Sequence, residues 1–92
     1  MRDDRFEWDD RKAAGNLRKH RVEFEHARLV FDDPNASDRL DEDEDEEERS
    51  VRVGMANGRL LFVVYTVRGE RTRIISARKA TKDEQDDYFR GA

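Results

Sequence analysis

The sequence predicts an α+β fold in which a small antiparallel sheet packs against two N-terminal helices and one C-terminal helix. Three observations indicate this fold. Apolar residues recur at helical spacing before residue 32, they alternate or run continuously between residues 50 and 78, and a helix-capping pattern follows. A chain of 92 residues has apolar residues for one core only, so we expect residues 1–92 to form a single domain.

The chain is predicted to open with a short strand and a helix. Phe6 and Trp8 alternate with charged residues, as in a strand with one buried face. Asp9 or Asp10 then supplies the N-cap of a helix that reaches about residue 20. Three residues share one face of this helix: Ala13, Leu17 and His20.

A second helix and a long loop are predicted next. Helical spacing of apolar residues indicates a helix over residues 23–32, and Asp33-Pro34 ends it because the residue before a proline avoids helical geometry. Residues 34–48 contain the only proline and, at 41–48, eight consecutive acids with nothing to bury. We expect an acidic, solvated loop here. The alternative is that its carboxylates imitate phosphate and cover a basic face.

Three antiparallel strands are predicted after this loop. Residues 50–53 start the first, and Asn57-Gly58 favours a type I′ hairpin turn because both residues tolerate positive φ. Leu60–Val67 is apolar on both alternating faces, which is typical of a central strand covered on both sides.

The last strand and a final helix complete the predicted order. The strand covers residues 72–78, and strict alternation would put Arg73 and Arg78 on opposite faces of the sheet. Thr81 and Glu84 fit a capping box, which predicts a C-terminal helix reaching about residue 89.

The charge of the chain is unevenly distributed. The net charge is −4, but outside residues 41–48 the chain has 19 basic against 15 acidic residues, and 15 of the basic ones are Arg. Arginine pairs with phosphate bidentately, so a nucleic-acid partner is compatible with the composition. An acidic, lysine-poor composition also fits adaptation to high salt, and both interpretations remain open.

The absence of cysteine excludes a disulfide scaffold and a thiolate zinc site. The sequence contains no long apolar run and no cleavable signal. We therefore expect a cytoplasmic protein without a membrane association.

Short motifs in a fixed order resemble the BrnT family of type II toxins. They are Phe6-Glu7-Trp8-Asp9, Lys12-Ala13, Asn16, Lys19-His20, Val30-Phe31-Asp32-Asp33-Pro34, Gly58-Arg59-Leu60-Leu61, Val63-Val64-Tyr65-Thr66, Arg73-Ile74-Ile75-Ser76-Ala77-Arg78, Ala80-Thr81, Glu84 and Tyr88. The resemblance covers nearly the whole chain. It implies a fold similar to the RelE ribonucleases, an endoribonuclease that needs no metal or other cofactor, and a DNA-binding antitoxin similar to BrnA as partner in a hetero-oligomer.

The sequence departs from the family pattern at two places. Arg21 stands where the family usually has glycine, and this could strain or recast the turn between the two helices. Residues 38–48 are also far more acidic than the resemblance leads us to expect.

The implied reaction uses the ribose 2′-hydroxyl as an internal nucleophile, which would explain a preference for RNA over DNA. Such an enzyme must remove the 2′ proton, stabilise the charge on phosphorus and protonate the leaving 5′ oxygen. Arg78 is the first candidate, because a guanidinium beside the last helix could hold the scissile phosphate. The alternative is a structural salt bridge to an acid such as Glu84.

Other basic residues are candidates for the remaining roles. His20 could be the general acid or base, although a buried structural histidine fits the same position. Lys19 could transfer a proton or contact phosphate, but an exposed helical lysine is the commoner fate. The expected RNA contacts are Arg73, Arg59 and Lys12, and Glu7 is expected to orient a basic residue; Trp8 is expected to pack in the core.

Three functions are compatible with these observations. The first is a ribonuclease toxin that slows translation and is neutralised by its antitoxin. The second is a non-catalytic module that only docks the antitoxin and acts as a corepressor. The third, an independent DNA-binding regulator, is disfavoured because no recognition-helix pattern is present and the net charge is negative.

Overall fold

The computed structural model describes residues 1–41 and 48–91 as a five-stranded sheet with helices on both faces. The strands are β1 (Phe6–Glu7), β2 (Ser37–Leu40), β3 (Ser50–Ala56), β4 (Arg59–Arg68) and β5 (Arg71–Lys79), in the spatial order β1-β5-β4-β3-β2. The helices are α1 (Asp10–His20), α2 (Phe24–Ala27), which continues into a 3₁₀ helix (Arg28–Asp32), and α3 (Lys82–Arg90). This is the predicted α+β class.

The sheet is mixed, and the prediction of a small antiparallel sheet was wrong on this point. β2, β3, β4 and β5 pair antiparallel, but β1 runs parallel to β5, with Phe6 opposite Thr72 and Glu7 opposite Arg73. A strand of two residues carries too little pattern to reveal its direction. That direction is fixed by where the chain enters the fold, which is a tertiary property.

The predicted loop at about 34–48 contains a strand. Residues 37–40 pair with β3 in a regular antiparallel register, and all four are exposed. Residues 37–40 show no apolar alternation, because this edge strand is held by backbone hydrogen bonds and buries no side chain. Most of the acid run, residues 42–47, lies outside the described residues, so the predictions made for it stay predictions.

Two apolar clusters lie on opposite faces of the sheet. The larger is covered by α1, α2 and the 3₁₀ helix and includes Phe6, Trp8, Val22, Phe24, Ala27, Val30, Ala56, Leu61, Val63, Ile74 and Ala77. The smaller consists of Val51, Val53 and Val64, with Leu60, Phe62, Ile75 and Tyr88 packed against it. We call these the inner face and the outer face. α3 covers part of the outer face, which confirms that β4 is a strand with apolar residues on both sides.

The buried residue of α1 is polar. Asp9 caps the helix, as predicted, by accepting the backbone N–H groups of residues 11 and 12. The predicted apolar stripe is only partly buried, because Leu17 is 39% exposed, whereas Asn16 is buried. Its amide donates to the carbonyls of Val22 and Ala77 and accepts the N–H of Ala77. α1 is therefore docked against the edge of β5 by hydrogen bonds.

A β-bulge interrupts β5. Val64 pairs with Ser76, and the next residue of β4, Tyr65, pairs with Ile74, so that Ile75 is an extra residue. An extra residue shifts the alternation of side chains by one position. The sequence-based assignment of faces was therefore wrong, because Ile74 and Ala77 both lie on the inner face.

Two turns follow from residues with positive φ. The hairpin between β3 and β4 has the predicted geometry, with φ of 54° at Asn57 and 88° at Gly58. Arg21 adopts the left-handed conformation with φ of 60° and ψ of 32°, and its N–H donates to the carbonyl of Leu17. The arginine therefore takes the conformation that glycine would favour at this helix end, and the turn is not recast.

α3 is joined to the rest of the chain by polar contacts. The predicted capping box is present, with Thr81 and Glu84 each bonded to the backbone of the other. The hydroxyl of Tyr88 donates to the carboxylate of Asp33 at 2.6 Å, and that carboxylate also accepts the N–H of Met55. No helix within the described ranges is long and apolar enough to cross a membrane.

Candidate nucleic-acid interface

The bulge in β5 brings Arg73 and Arg78 to the same side of the sheet. Arg73 pairs with Thr66 and Arg78 with Phe62, and Phe62 belongs to the outer-face cluster. Residues 62 and 66 are four apart on β4, so the two arginines lie about 13 Å apart along the strands. Without the extra residue they would lie on opposite faces. The bulge therefore creates a surface with two guanidinium groups.

Arg78 is held on two sides. Its Nη1 and Nη2 atoms donate to the two carboxylate oxygens of Glu84, each at 3.0 Å, and Nη1 also donates to the carbonyl of Lys79. The guanidinium carbon lies 3.7 Å from the centre of the Phe62 ring, which is a close cation–π contact. The structure thus contains the salt bridge to Glu84 that the sequence offered as the alternative role for Arg78.

The Arg78 contact keeps Glu84 ionised. Burial alone would raise the pKa of Glu84, but the hydrogen bonds from Arg78 and from the backbone N–H of Thr81 outweigh burial and lower it. The side chain of Glu84 is 17% exposed and that of Arg78 is 33% exposed. The pair is thus partly shielded from water.

Arg73 is held in a similar way by β1. Glu7 lies directly opposite Arg73 in the parallel pairing, and its Oε2 accepts a hydrogen bond from Nη1 at 2.9 Å. Both side chains are partly buried. Arg73 and Arg78 thus each have a glutamate that fixes their position, one from β1 and the other from α3.

α1 carries Lys12 and Lys19 on the flank away from the core. The hydrogen bonds of Asn16 to Val22 and Ala77 fix the rotation of the helix. At 3.6 residues per turn, Ala13 and Leu17 lie on one side of Asn16, and the two lysines lie on its other side. Both lysines are exposed. The pKa of Asp9 is lowered, chiefly by the backbone N–H groups of residues 12 and 11, and the charges of Lys12 and Arg73 add to this effect. Lys12 and Arg73 are therefore both near the same carboxylate.

His20 lies one turn after Asn16, on the side of α1 that faces β5. It is half-buried. Within residues 1–41 and 48–91, no hydrogen bond or ion pair joins it to Arg78 or to any other side chain. The structure thus leaves the imidazole near β5 without fixing its orientation. His26, by contrast, bonds to the carbonyl of Ala56 at 2.8 Å and has a structural position.

Arg59 lies apart from the two paired arginines. It begins β4 beside the hairpin turn and lines a groove of about 440 Å³ together with Leu60, Lys79 and Phe89. Trp8 is buried and packs edge-on against Phe24 at 5.7 Å, which places it in the core as expected. The described residues contain no group of three or more His, Asp or Glu side chains suited to a metal ion.

Sequence reasoning missed two residues of the outer face, the aromatic Phe62 and the basic Arg39. Phe62 was assigned only to a strand, yet its ring supports Arg78. Arg39 was assigned to a loop, yet β2 places its guanidinium carbon 5.6 Å from the centre of the same ring. The one signal for Phe62 was that it lies at every-second-residue spacing with Leu60 and Val64 on the same face of β4. Arg39 gave no signal, because the strand that positions it has no apolar pattern.

The fold is that of a small α+β protein whose outer sheet face carries two glutamate-paired arginines. A family model described as the ribonuclease toxin BrnT of a type II toxin–antitoxin system matches residues 8–84. The chain belongs to this family. Membership implies an antitoxin partner, because type II systems consist of a toxin and the protein that binds it. A comparison with curated proteins found no match.

Proposed function

We propose that this chain is an endoribonuclease toxin that cleaves RNA through the ribose 2′-hydroxyl without a metal ion. The observation that carries the proposal is the outer face itself, where Arg73 and Arg78 are each fixed by a glutamate. Fixed guanidinium groups stabilise developing negative charge better than mobile ones, because they need no reorganisation during the reaction.

The pairing of Arg78 with Glu84 leaves room for a phosphate. A guanidinium has five N–H donors, and Arg78 uses two for Glu84 and one for the carbonyl of Lys79. The remaining two, on Nε and Nη2, share one edge and have no acceptor among the described residues. Two parallel donors on one edge match two phosphate oxygens. Arg78 is therefore proposed to bind the scissile phosphate by this edge while Glu84 holds the other.

Proton transfer is assigned to α1. In the proposed reaction a base removes the 2′ proton, the 2′ oxygen attacks phosphorus, and the 5′ oxygen leaves with a proton from an acid. His20 and Lys19 are proposed for these two steps, since both stand in the last turn of α1 and Asn16 docks that helix to β5 beside Arg78. Lys12 and Arg73 are proposed to bind the flanking RNA backbone, with Glu7 orienting Arg73. Arg59 is proposed as a more distant contact.

The biological setting follows from the family. We propose a RelE-like fold for the chain, cleavage of RNA that slows translation in the cytoplasm, and neutralisation by a DNA-binding antitoxin similar to BrnA within a hetero-oligomer. Covering the outer face would be sufficient to block RNA, because the proposed phosphate-binding edge of Arg78 opens there.

The test compares wild type with Arg78→Gln and with a matched control, Arg18→Gln. Arg18 is exposed and lies on the side of α1 opposite Asn16, so its loss removes the same charge elsewhere. The genes are expressed from a tight promoter, and growth and total RNA integrity are measured. The proposal expects wild type and Arg18→Gln to arrest growth and degrade RNA, and Arg78→Gln to do neither while remaining folded.

A chemical control identifies the mechanism. Purified protein should cleave an RNA oligonucleotide and leave a 2′,3′-cyclic phosphate, but it should not cleave the same sequence with 2′-O-methyl riboses. Folded wild-type protein that neither arrests growth nor cleaves RNA would support the second candidate, a module that only docks the antitoxin. The salt bridge between Arg78 and Glu84 favours that candidate, because a neutralised arginine needs no ligand.

A further inference from the structure

The Phe62 ring is contacted by two arginines that come from strands on either side of β4. β5 supplies Arg78, with its guanidinium carbon 3.7 Å from the ring centre, and β2 supplies Arg39 at 5.6 Å. In the strand order β5 is next to β4 on one side, and β2 lies beyond β3 on the other side. Since the two distances add, the guanidinium carbons are at most about 9 Å apart. The aromatic ring therefore holds two like charges close together on the outer face.

A cleft lies between β2 and α3, and Arg39 is one of its lining residues. It has a volume of about 420 Å³, and its lining includes Arg39 and the carboxylates of Asp38, Glu84 and Asp87. Each of these three carboxylates is bonded to an arginine: Asp38 to Arg52, Glu84 to Arg78, and Asp87 to Arg90. Across the described ranges, no carboxylate forms an ion pair with Arg39. Once the pairs are counted as neutral, Arg39 carries the remaining charge among the described residues that line the cleft.

The exposure of the two arginines separates their roles. Arg78 is partly buried and fixed by Glu84, whereas Arg39 is exposed, and among the described residues its contact is with the Phe62 ring. A fixed guanidinium suits one defined phosphate geometry, and an exposed one suits a neighbouring phosphate whose position varies. A separation of at most about 9 Å allows both groups to contact the same or successive phosphodiesters of one strand.

We propose that Arg39 is an RNA-backbone anchor, and that Arg39, Phe62 and Arg78 form one continuous subsite for single-stranded RNA along the outer face. Arg39 binds a phosphate next to the one held by Arg78, and Phe62 sets the spacing between them. This inference rests on the proposed ribonuclease function and adds a binding residue to it. The role of Arg39 is electrostatic, so its contribution should depend on salt.

The test measures binding apart from cleavage. A fluorescent single-stranded RNA with 2′-O-methyl riboses throughout serves as probe, and its Kd is measured at several salt concentrations for wild type, Arg39→Gln and the control Arg18→Gln. Loss of one phosphate contact should weaken binding by about three- to tenfold at low salt. It should also reduce the slope of log Kd against log salt by about 0.7, the value for one contact to a single strand. Arg18→Gln should leave both values close to those of wild type.

A second variant tests the aromatic spacer. Phe62→Leu keeps an apolar side chain on the outer face but removes the π surface between the arginines. We expect Phe62→Leu to weaken binding of the probe when it is introduced into the wild-type protein. When it is introduced into the Arg39→Gln variant, its effect on the Kd should be smaller. Circular dichroism and thermal unfolding establish that each variant is folded.

The outcomes distinguish the inference from the function on which it rests. If wild type cleaves unmodified RNA but Arg39→Gln binds the probe like Arg18→Gln, the anchor role is wrong and the ribonuclease stands. If folded wild type neither cleaves RNA nor binds the probe, both are wrong. Binding of a basic peptide in the cleft in place of RNA would also overturn the anchor role, because it would show that the carboxylates dominate the site.

Discussion

The side-chain amide of Asn16 binds both backbone groups of Ala77, accepting its N–H at 3.0 Å and donating to its carbonyl at 2.9 Å. Among the described residues, β1 pairs with β5 at residues 72 and 73 only, and no strand pairs with the edge of β5 beyond that point. The amide supplies the missing hydrogen bonds. It thereby closes the sheet edge beside Arg78 and fixes the rotation of α1, which links the position of the lysines to the position of the arginine.

Replacing Asn16 by leucine should destabilise the protein by about 3 kcal/mol. The substitution keeps the number of side-chain heavy atoms but leaves the N–H and carbonyl of Ala77 and the carbonyl of Val22 without the amide as partner, and unsatisfied buried groups are costly. Chemical denaturation measures the change in the free energy of unfolding. Asn35→Leu, at an exposed position, is the control and should change it by less than about 0.5 kcal/mol. Equal effects of the two variants would contradict the structural role of the amide.

Arg21→Gly should stabilise the protein. Arg21 has φ of 60°, and a residue with a Cβ atom pays an energetic cost of about 1 kcal/mol for this conformation that glycine does not pay. The melting temperature should therefore rise by about 4 to 8 °C, as expected for a domain of this size. Arg18→Gly, in the interior of the same helix, should lower it because glycine weakens helices. A lower melting temperature for Arg21→Gly would mean that the arginine side chain contributes more than the strain costs.

The sequence was sufficient for most of the helices and strands, but it did not reveal β2 or the way in which the strands fit together. The bounds of α1, the Asn57-Gly58 hairpin and the capping box of α3 follow from local patterns, and the structure contains all three. The bulge at Ile75 left no local mark, because a bulge is specified by how two strands fit together. Since Arg73 and Arg78 share a face only through this bulge, their residue types were predictable but their common surface was not.

The contribution of Glu84 to the stability of the fold should decrease as the pH falls. The pKa of Glu84 is lowered in the folded chain: burial opposes this shift, and the hydrogen bonds from Arg78 and the Thr81 N–H outweigh burial. Because the pKa is lower in the folded chain, the ionised carboxylate stabilises the fold at pH values above the ordinary pKa of 4.5. This stabilisation is lost as the pH falls through the pKa of the folded chain. Glu84→Gln should therefore destabilise the protein at pH 7, and its difference from wild type should shrink below pH 4.5.

Thermal unfolding at a series of pH values measures this difference. Asp86→Asn, on the same helix, is the control; its carboxylate forms only a surface pair with Lys82 at 3.4 Å, so the change should be under about 0.5 kcal/mol at pH 7. A penalty for Glu84→Gln that stays constant from pH 7 to acid would show that the carboxylate charge is not what stabilises the pair.

Tyr88→Phe should loosen α3 without unfolding the rest of the chain. A helix of nine residues is too short to be stable alone, and the hydroxyl of Tyr88 ties it to Asp33. Hydrogen exchange should therefore accelerate in α3 and remain unchanged in α1. Tyr65→Phe is a matched control because the Tyr65 hydroxyl also donates to an aspartate, Asp38, and this hydrogen bond joins β4 to β2 and does not involve a residue of α3. If both variants accelerate hydrogen exchange in α3 equally, the hydrogen bond between Tyr88 and Asp33 does not hold the helix in place, and the salt bridge between Glu84 and Arg78 does.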